Sequence, residues 1–139
     1  MMTNMNLNMH RRHLMTLVFA VSATVLCAPA QAQQHRFFPP TALRGELIVT
    51  QFPDALINGK PAKLAPGARV FGDTGLMQSP ASLTGQKNIV HYVIEESSGL
   101  VLTVWVLNPA ELANKLWPRT PQEAAALQFD GASQTWRKP

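Results

Sequence analysis

Beyond residue 32 the apolar positions of this chain fall in short runs separated by Gly, Pro, Asn and Asp, a spacing that predicts strands rather than helices. Residues 33–40 turn from polar to aromatic to Pro39-Pro40, which reads as an extended lead-in with one ring of Phe37-Phe38 tucked against the core. Residues 41–51 carry Leu43, Leu47, Ile48 and Val49 and predict a strand that Phe52-Pro53-Asp54 ends. Ala55-Leu56-Ile57 then runs into Asn58-Gly59, the pair best able to take the two positive-φ positions of a tight hairpin turn. Lys63-Leu64 belongs to the returning strand, and Pro61 places that strand at an edge because proline cannot donate to a ladder. Pro66-Gly67 fits the centre of a type II turn, after which residues 68–71 form another short strand.

Residues 72–85 are rich in Gly, Ser and Pro around Leu76-Met77 and predict a loop excursion, the least regular part of the body. Two long apolar runs follow, at 87–95 and 100–107, joined by Glu96-Ser97-Ser98-Gly99 into a second hairpin at the centre of the sheet. The second run has a single polar residue, Thr103, among eight, so it lacks the alternation of a strand wetted on one side. Its outer face needs a lid, and the C-terminal segment can supply one. Asn108-Pro109-Ala110-Glu111 and Thr120-Pro121-Gln122-Glu123 share a capping residue, proline at the first helical position and glutamate two residues on. Short helices are predicted at 109–116 and 121–127, held by packing through Leu112, Leu116, Trp117 and Leu127, with a small terminal hairpin around Asp130-Gly131 between Phe129 and Trp136. The expected fold is mainly β: a small antiparallel barrel of the OB or SH3-like kind, with the short C-terminal helices packed on it. Residues 33–107 would form the barrel and 108–139 the helical lid and terminal hairpin of the same domain.

The first 32 residues change where such a domain would work. Arg11-Arg12 between His10 and His13 precede an apolar run at 14–27, and Ala30 and Ala32 flank one intervening residue, so residues 1–32 read as a secretory signal peptide cleaved after Ala32. The apolar run is shorter than the roughly 20 residues a membrane-spanning helix needs, and no span is expected after cleavage. Leu26 before Cys27 argues against lipid attachment, and His10 before the arginine pair argues against a twin-arginine route. Beyond residue 32 there are ten Lys and Arg against eight Asp and Glu, a net charge of +2 where the whole chain has +4. The basic residues are dispersed among acids, which withdraws the electrostatic footprint that nucleic-acid binding needs. Cys27 is the only cysteine and leaves with the leader, so the 107 residues that remain of 139 fold on a hydrophobic core without disulfides.

Candidate chemistry is sparse. No catalytic residue is assigned: Ser79, Ser82, Ser97 and Ser98 sit in turn contexts, and Glu95-Glu96 are adjacent and point to opposite faces of a strand. Gly72-Asp73-Thr74-Gly75 matches no phosphate loop, and no cofactor is expected. No metal ligand is assigned either, His91 reading as an outward strand residue, although Met77, His91 and Trp105 have the chemistry of a soft copper site. What remains is binding. Trp117 and Trp136, with Arg119 or Arg137 beside them, are the residues expected to make an exposed aromatic anchor, and Trp117, Trp136 and Arg119 are the candidate ligand-binding set.

The stretches at 37–45, 64–69, 104–107 and 117–121, with the Asn58-Gly59 turn, resemble a group of small exported bacterial hypothetical proteins with no known activity. That resemblance runs from about Phe37 to Pro139 and implies export and a single domain, without a mechanism. The function expected is a non-enzymatic binding or accessory module of the bacterial cell envelope, periplasmic or secreted, whose partner is an envelope protein or a glycan. The alternatives are a small periplasmic metal-binding protein working through His91 and Met77, and an enzyme with a site too plain to recognise.

Overall fold

A computed structural model describes residues 35–139. The leader expected at residues 1–32 and its cleavage after Ala32 lie outside the described residues. The described chain is mainly β, as expected. Strands β1 (Leu43–Gln51), β2 (Asp54–Ile57), β3 (Lys60–Phe71), β4 (Met77–Gln78), β5 (Lys87–Ile94) and β6 (Val101–Val106) form one sheet in the order β2-β1-β5-β6-β3-β4, and β2 also pairs β3. Helices α1 (Pro109–Ala113) and α2 (Pro121–Ala125) follow, then the hairpin β7 (Gln128–Asp130) and β8 (Thr135–Arg137). All pairings are antiparallel except that of β3 with β6, which is parallel.

The β2–β3 turn follows from its two residues. Asn58 and Gly59 have φ of 51° and 77°, the left-handed positions that a two-residue hairpin requires. Asn58 contributes more than its backbone, since its Oδ1 accepts from the Glu46 amide at 3.0 Å and ties the turn to β1. Ile57 pairs with Lys60 across the turn, and the next pair is Leu56 with Pro61. In a tight hairpin the pair after the closing one exchanges no hydrogen bonds, so the missing N–H of Pro61 costs nothing there.

Two expectations about β3 are corrected. Pro66-Gly67 is not a turn between strands, because β3 runs unbroken from Lys60 to Phe71. Gly67 has φ of 76°, and the register against β6 jumps from Leu64↔Val101 to Arg69↔Thr103. The dipeptide therefore makes a bulge that bends one long strand, so that its first half pairs with β2 and its second with β6. The 72–85 excursion also holds more structure than expected: β4 pairs back on Val70 and Phe71, and a 3₁₀ turn at Pro80–Leu83 is capped by the Ser79 hydroxyl.

Alternation along the strands builds two apolar clusters on opposite faces of the sheet. Leu43, Leu47, Val49, Leu64, Val70, Val90, Tyr92, Val101 and Val104 form the main core. Val93 and Trp105 project to the other face, where Phe38, Ala42, Leu107, Trp117 and Trp136 cover them. Of the two lead-in rings Phe38 is buried and Phe37 exposed, as the pattern predicts. The cover differs from the helical lid expected. Both helices begin at the predicted caps, but they are shorter than predicted and neither contains a buried residue, and Leu116 is exposed. A five-residue helix buries little, so most of the covering surface comes from Phe38, the coil around Trp117 and the terminal hairpin, while Leu112 of α1, Ala124 of α2 and Leu127 pack against it partly buried, as expected of Leu112 and Leu127. Covering is also incomplete, for Leu102 on β6 is exposed. The terminal hairpin departs from a two-residue Asp-Gly turn: Asp130 pairs with Thr135, the Asp130 carboxylate accepts from the amides of Ala132 and Ser133, and the positive φ falls on Gln134. No helix among the described residues is long and apolar enough to cross a membrane.

Candidate functional site

Register places four side chains in one row across the outer face of the sheet. Arg44 of β1 stands opposite His91 of β5, His91 opposite Trp105 of β6, and Trp105 opposite Phe71 of β3. Trp105 and Phe71 stack at 6.2 Å, and Phe38 sets its ring edge-on to both Trp105 and His91. Trp117 lies flat on His91, with ring centroids 4.0 Å apart, and donates its Nε1–H to the Ala42 carbonyl at 2.9 Å. The Arg44 amide donates to Pro118, which docks that coil segment against β1.

The indoles are therefore not exposed. Trp117 is 5% and Trp136 7% accessible, which overturns the expectation that one of them stands on the surface beside Arg119 or Arg137. Burying an indole removes on the order of 200 Å² from water, about 5 kcal/mol at about 25 cal/mol per Å², and the outer face of the sheet supplied the surface to bury it against. Arg119 is exposed and lines, with Arg44, Glu46 and Ile89, a separate pocket of about 290 Å³ that neither indole lines. Its backbone amide donates to Glu123 at 2.7 Å, so this glutamate reaches past the Thr120 cap. The His91–Met77 pairing is also corrected: β6 and β3 separate β5 from β4, so the two residues lie about three strand spacings of 4.8 Å apart. Among the described residues no three His, Cys, Asp or Glu side chains converge.

What the fold brings together instead is a cavity of about 300 Å³ between the lead-in, the row on β1 and β5, the start of α1 and the terminal hairpin. His35, Phe38, His91 and Trp117 supply ring surface, and Asn108, Asn114, Ser133, Gln134 and Thr135 supply polar surface. Two arginines and one glutamate also line it, and they are held very differently. Arg36 forks onto the Glu111 carboxylate at 2.7 and 2.5 Å, and its remaining contacts go to the carbonyls of Gly72 and Val106 at 2.7 Å. Glu111 also closes the α1 capping box, its Oε2 accepting from the Asn108 amide at 3.0 Å. Four of the five Arg36 donors and both Glu111 oxygens are thus engaged.

Arg44 has no such partner. It is 7% accessible, yet among the described residues it forms no ion pair. Its Nε–H donates to His91 Nε2 at 3.2 Å, one terminal nitrogen donates to the Asn114 carbonyl, and the other donates to the Glu111 carbonyl at 3.1 Å. Its guanidinium lies 5.8 Å from the centre of the Trp117 ring, a cation–π contact. Burial pulls its pKa below the ordinary arginine value, the neighbouring Arg119 adds to this, and Glu111 opposes it. His91 is 1% accessible, and burial, then the charges of Arg44 and Arg36, push its pKa down to about 3. Because Nε2 accepts from an arginine, the proton of the neutral ring sits on Nδ1, which meets no acceptor.

Sequence reasoning left Arg44 among the dispersed basic residues and took His91 for an outward strand residue. Both do point away from the main core, and it is the cover over the outer face that buries them. No local signal marks this, because an arginine between Leu43 and Gly45 reads the same under an indole as under water. A scan of protein-family models, a search of curated proteins and a search of solved structures each find no match to this chain.

Proposed function

We propose that this chain is an exported, non-enzymatic binding module of the bacterial cell envelope, built on an OB-like barrel, that takes its ligand in the cavity beneath Phe38 and Trp117. Support for the barrel comes from the pairings, which run β1–β2–β3–β6–β5 and return to β1, with the β3–β6 step parallel and a bulge at Gly67 bending the strand that must serve two neighbours. Support for export comes from the charged, apolar and small-residue succession of residues 1–32 and from the resemblance to small exported bacterial proteins.

The observation that carries the binding assignment is the cavity itself, whose volume falls at the lower end of the roughly 300–1,000 Å³ typical of ligand sites. Its walls combine ring surface with side-chain amides and hydroxyls, the mixture that orients a compact ligand. Two imidazoles line the cavity, His35 and His91; binding is favoured over catalysis through His91 because that ring is committed to Arg44 through Nε2, and a pKa near 3 puts it far from the neutral range in which a general base works. A terminal unit of an envelope glycan or of a protein partner suits such a space, whereas a flat aromatic platform would need exposed indoles.

A thermal-shift screen of the purified chain with a chemically broad set of compact compounds tests this. At least one compound is expected to raise Tm and to change tryptophan emission, and a Ser133→Trp substitution, which fills the cavity mouth, should abolish both effects in a folded protein. Failure of every compound at millimolar concentration, or full retention of binding by the filled variant, would overturn it.

A further inference from the structure

The two arginines on the cavity wall differ in one respect that bears on what the cavity holds. Arg36 meets a carboxylate and fills four of its five donors; Arg44 is buried more deeply and meets no carboxylate. An arginine carries five N–H donors, and only three of Arg44's have partners among the described residues, one on Nε and one on each terminal nitrogen. That leaves one donor on each terminal nitrogen, a pair that the two oxygens of a single carboxylate can span. Burying a guanidinium without a counter-charge is costly, and Glu111, the acid lining the cavity, is already shared by Arg36 and the α1 cap.

The remaining lining agrees with an anionic occupant. Arg36, Arg44 and Glu111 sum to one positive charge beside the imidazole of His35, which matches a monoanion better than a dianion. Asn114 and Gln134 add polar side chains to the same wall. Accepting at Nε2, His91 also fixes the guanidinium plane, so it is a positioning residue for Arg44.

Resting on the binding assignment above, we infer that the cavity takes a compact ligand through a single carboxylate, which forks onto the two unpartnered N–H groups of Arg44 while its body lies against Phe38 and Trp117. Three sources share that chemistry: a free aromatic acid, a peptide C-terminus and an acidic sugar.

Titration calorimetry of the purified chain separates them with matched pairs, namely benzoate and benzamide, alanyl-alanine and its amide, glucuronate and glucose. At least one acid is expected to bind ten-fold or more tightly than its neutral partner, and the pair that does so names the source. In Arg44→Gln that advantage should vanish. The comparison within the unaltered chain stands even if that variant does not fold. Equal binding of acid and neutral partner, or an advantage that survives Arg44→Gln, would overturn the carboxylate assignment and leave the cavity as a binding site. If none of the six compounds binds while others in the thermal-shift screen do, the carboxylate assignment falls alone; if nothing binds in either experiment, both proposals fall.

Discussion

Mild acid should destabilise this protein through one residue, His91. Its imidazole is sealed under Phe38 and Trp117 and faces two guanidinium groups, Arg44 and Arg36, so its folded pKa is pushed down to about 3, against 6.5 for the ordinary side chain. The folded state therefore favours the neutral ring. The resulting stability is fully present above about pH 6.5, where neither state takes up the proton, and is lost as pH falls from there toward 3 while only the unfolded chain is protonated. The slope approaches about 1.4 kcal/mol per pH unit, and integration from pH 7.5 to 5 gives a loss of about 2 kcal/mol, before most carboxylates titrate. Urea unfolding followed by tryptophan emission reads this directly. With an m-value of about 1.5 kcal/mol per M, the midpoint should drop by about 1.3 M over that range while m stays constant. His91→Gln is the control, because its amide oxygen can still accept from Arg44 Nε but has no proton to gain. Its midpoint should be nearly flat over the same interval. An equal loss in the glutamine variant, or a flat response in the parent, would refute this account of His91.

Three further substitutions test the packing. Trp117→Ala removes the ring that covers His91 and its bond to the Ala42 carbonyl, and should destabilise the protein by about 3–5 kcal/mol in urea unfolding, whereas an effect under 1 kcal/mol would mean the indole is not a core residue. Arg36→Met leaves the Glu111 carboxylate largely buried without its partner, and a loss of about 3 kcal/mol is expected, with half of it or more recovered in the double variant with Glu111→Gln; no recovery would contradict the pairing. Gly45→Ala would place a methyl group 3.0 Å from Tyr92 and 3.2 Å from the Asn58 amide, so a cost of about 1–3 kcal/mol is expected, and a stabilised variant would show that those side chains yield freely.

Local chemistry made much of the fold legible. Asn58-Gly59 dictates its hairpin because few residues tolerate two successive positive φ angles, and Asn108-Pro109 and Thr120-Pro121 dictate helix starts because the caps satisfy amides that nothing else reaches. The apolar runs at 87–95 and 100–107 became the paired strands β5 and β6 because only burial explains such sequences. Pro66-Gly67 was misleading for a related reason: positive φ at glycine serves a bulge as well as a turn, and the neighbouring strands decide between them.

The candidate site was not legible in this way. Trp117 and Trp136 were visible as the heavy apolar residues of the tail, but whether an indole anchors a partner or seals a core depends on what lies opposite, and opposite Trp117 lies His91. Arg44 and His91 are 47 residues apart in the chain and meet through strand register. Their burial then depends on a coil and a hairpin folding over the outer face of the sheet. Turn residues and caps act within a few positions, so the chain determined them alone. The desolvation of a charge is set by every atom around it, so only the assembled tertiary structure could decide which arginine would stand buried without a counter-charge.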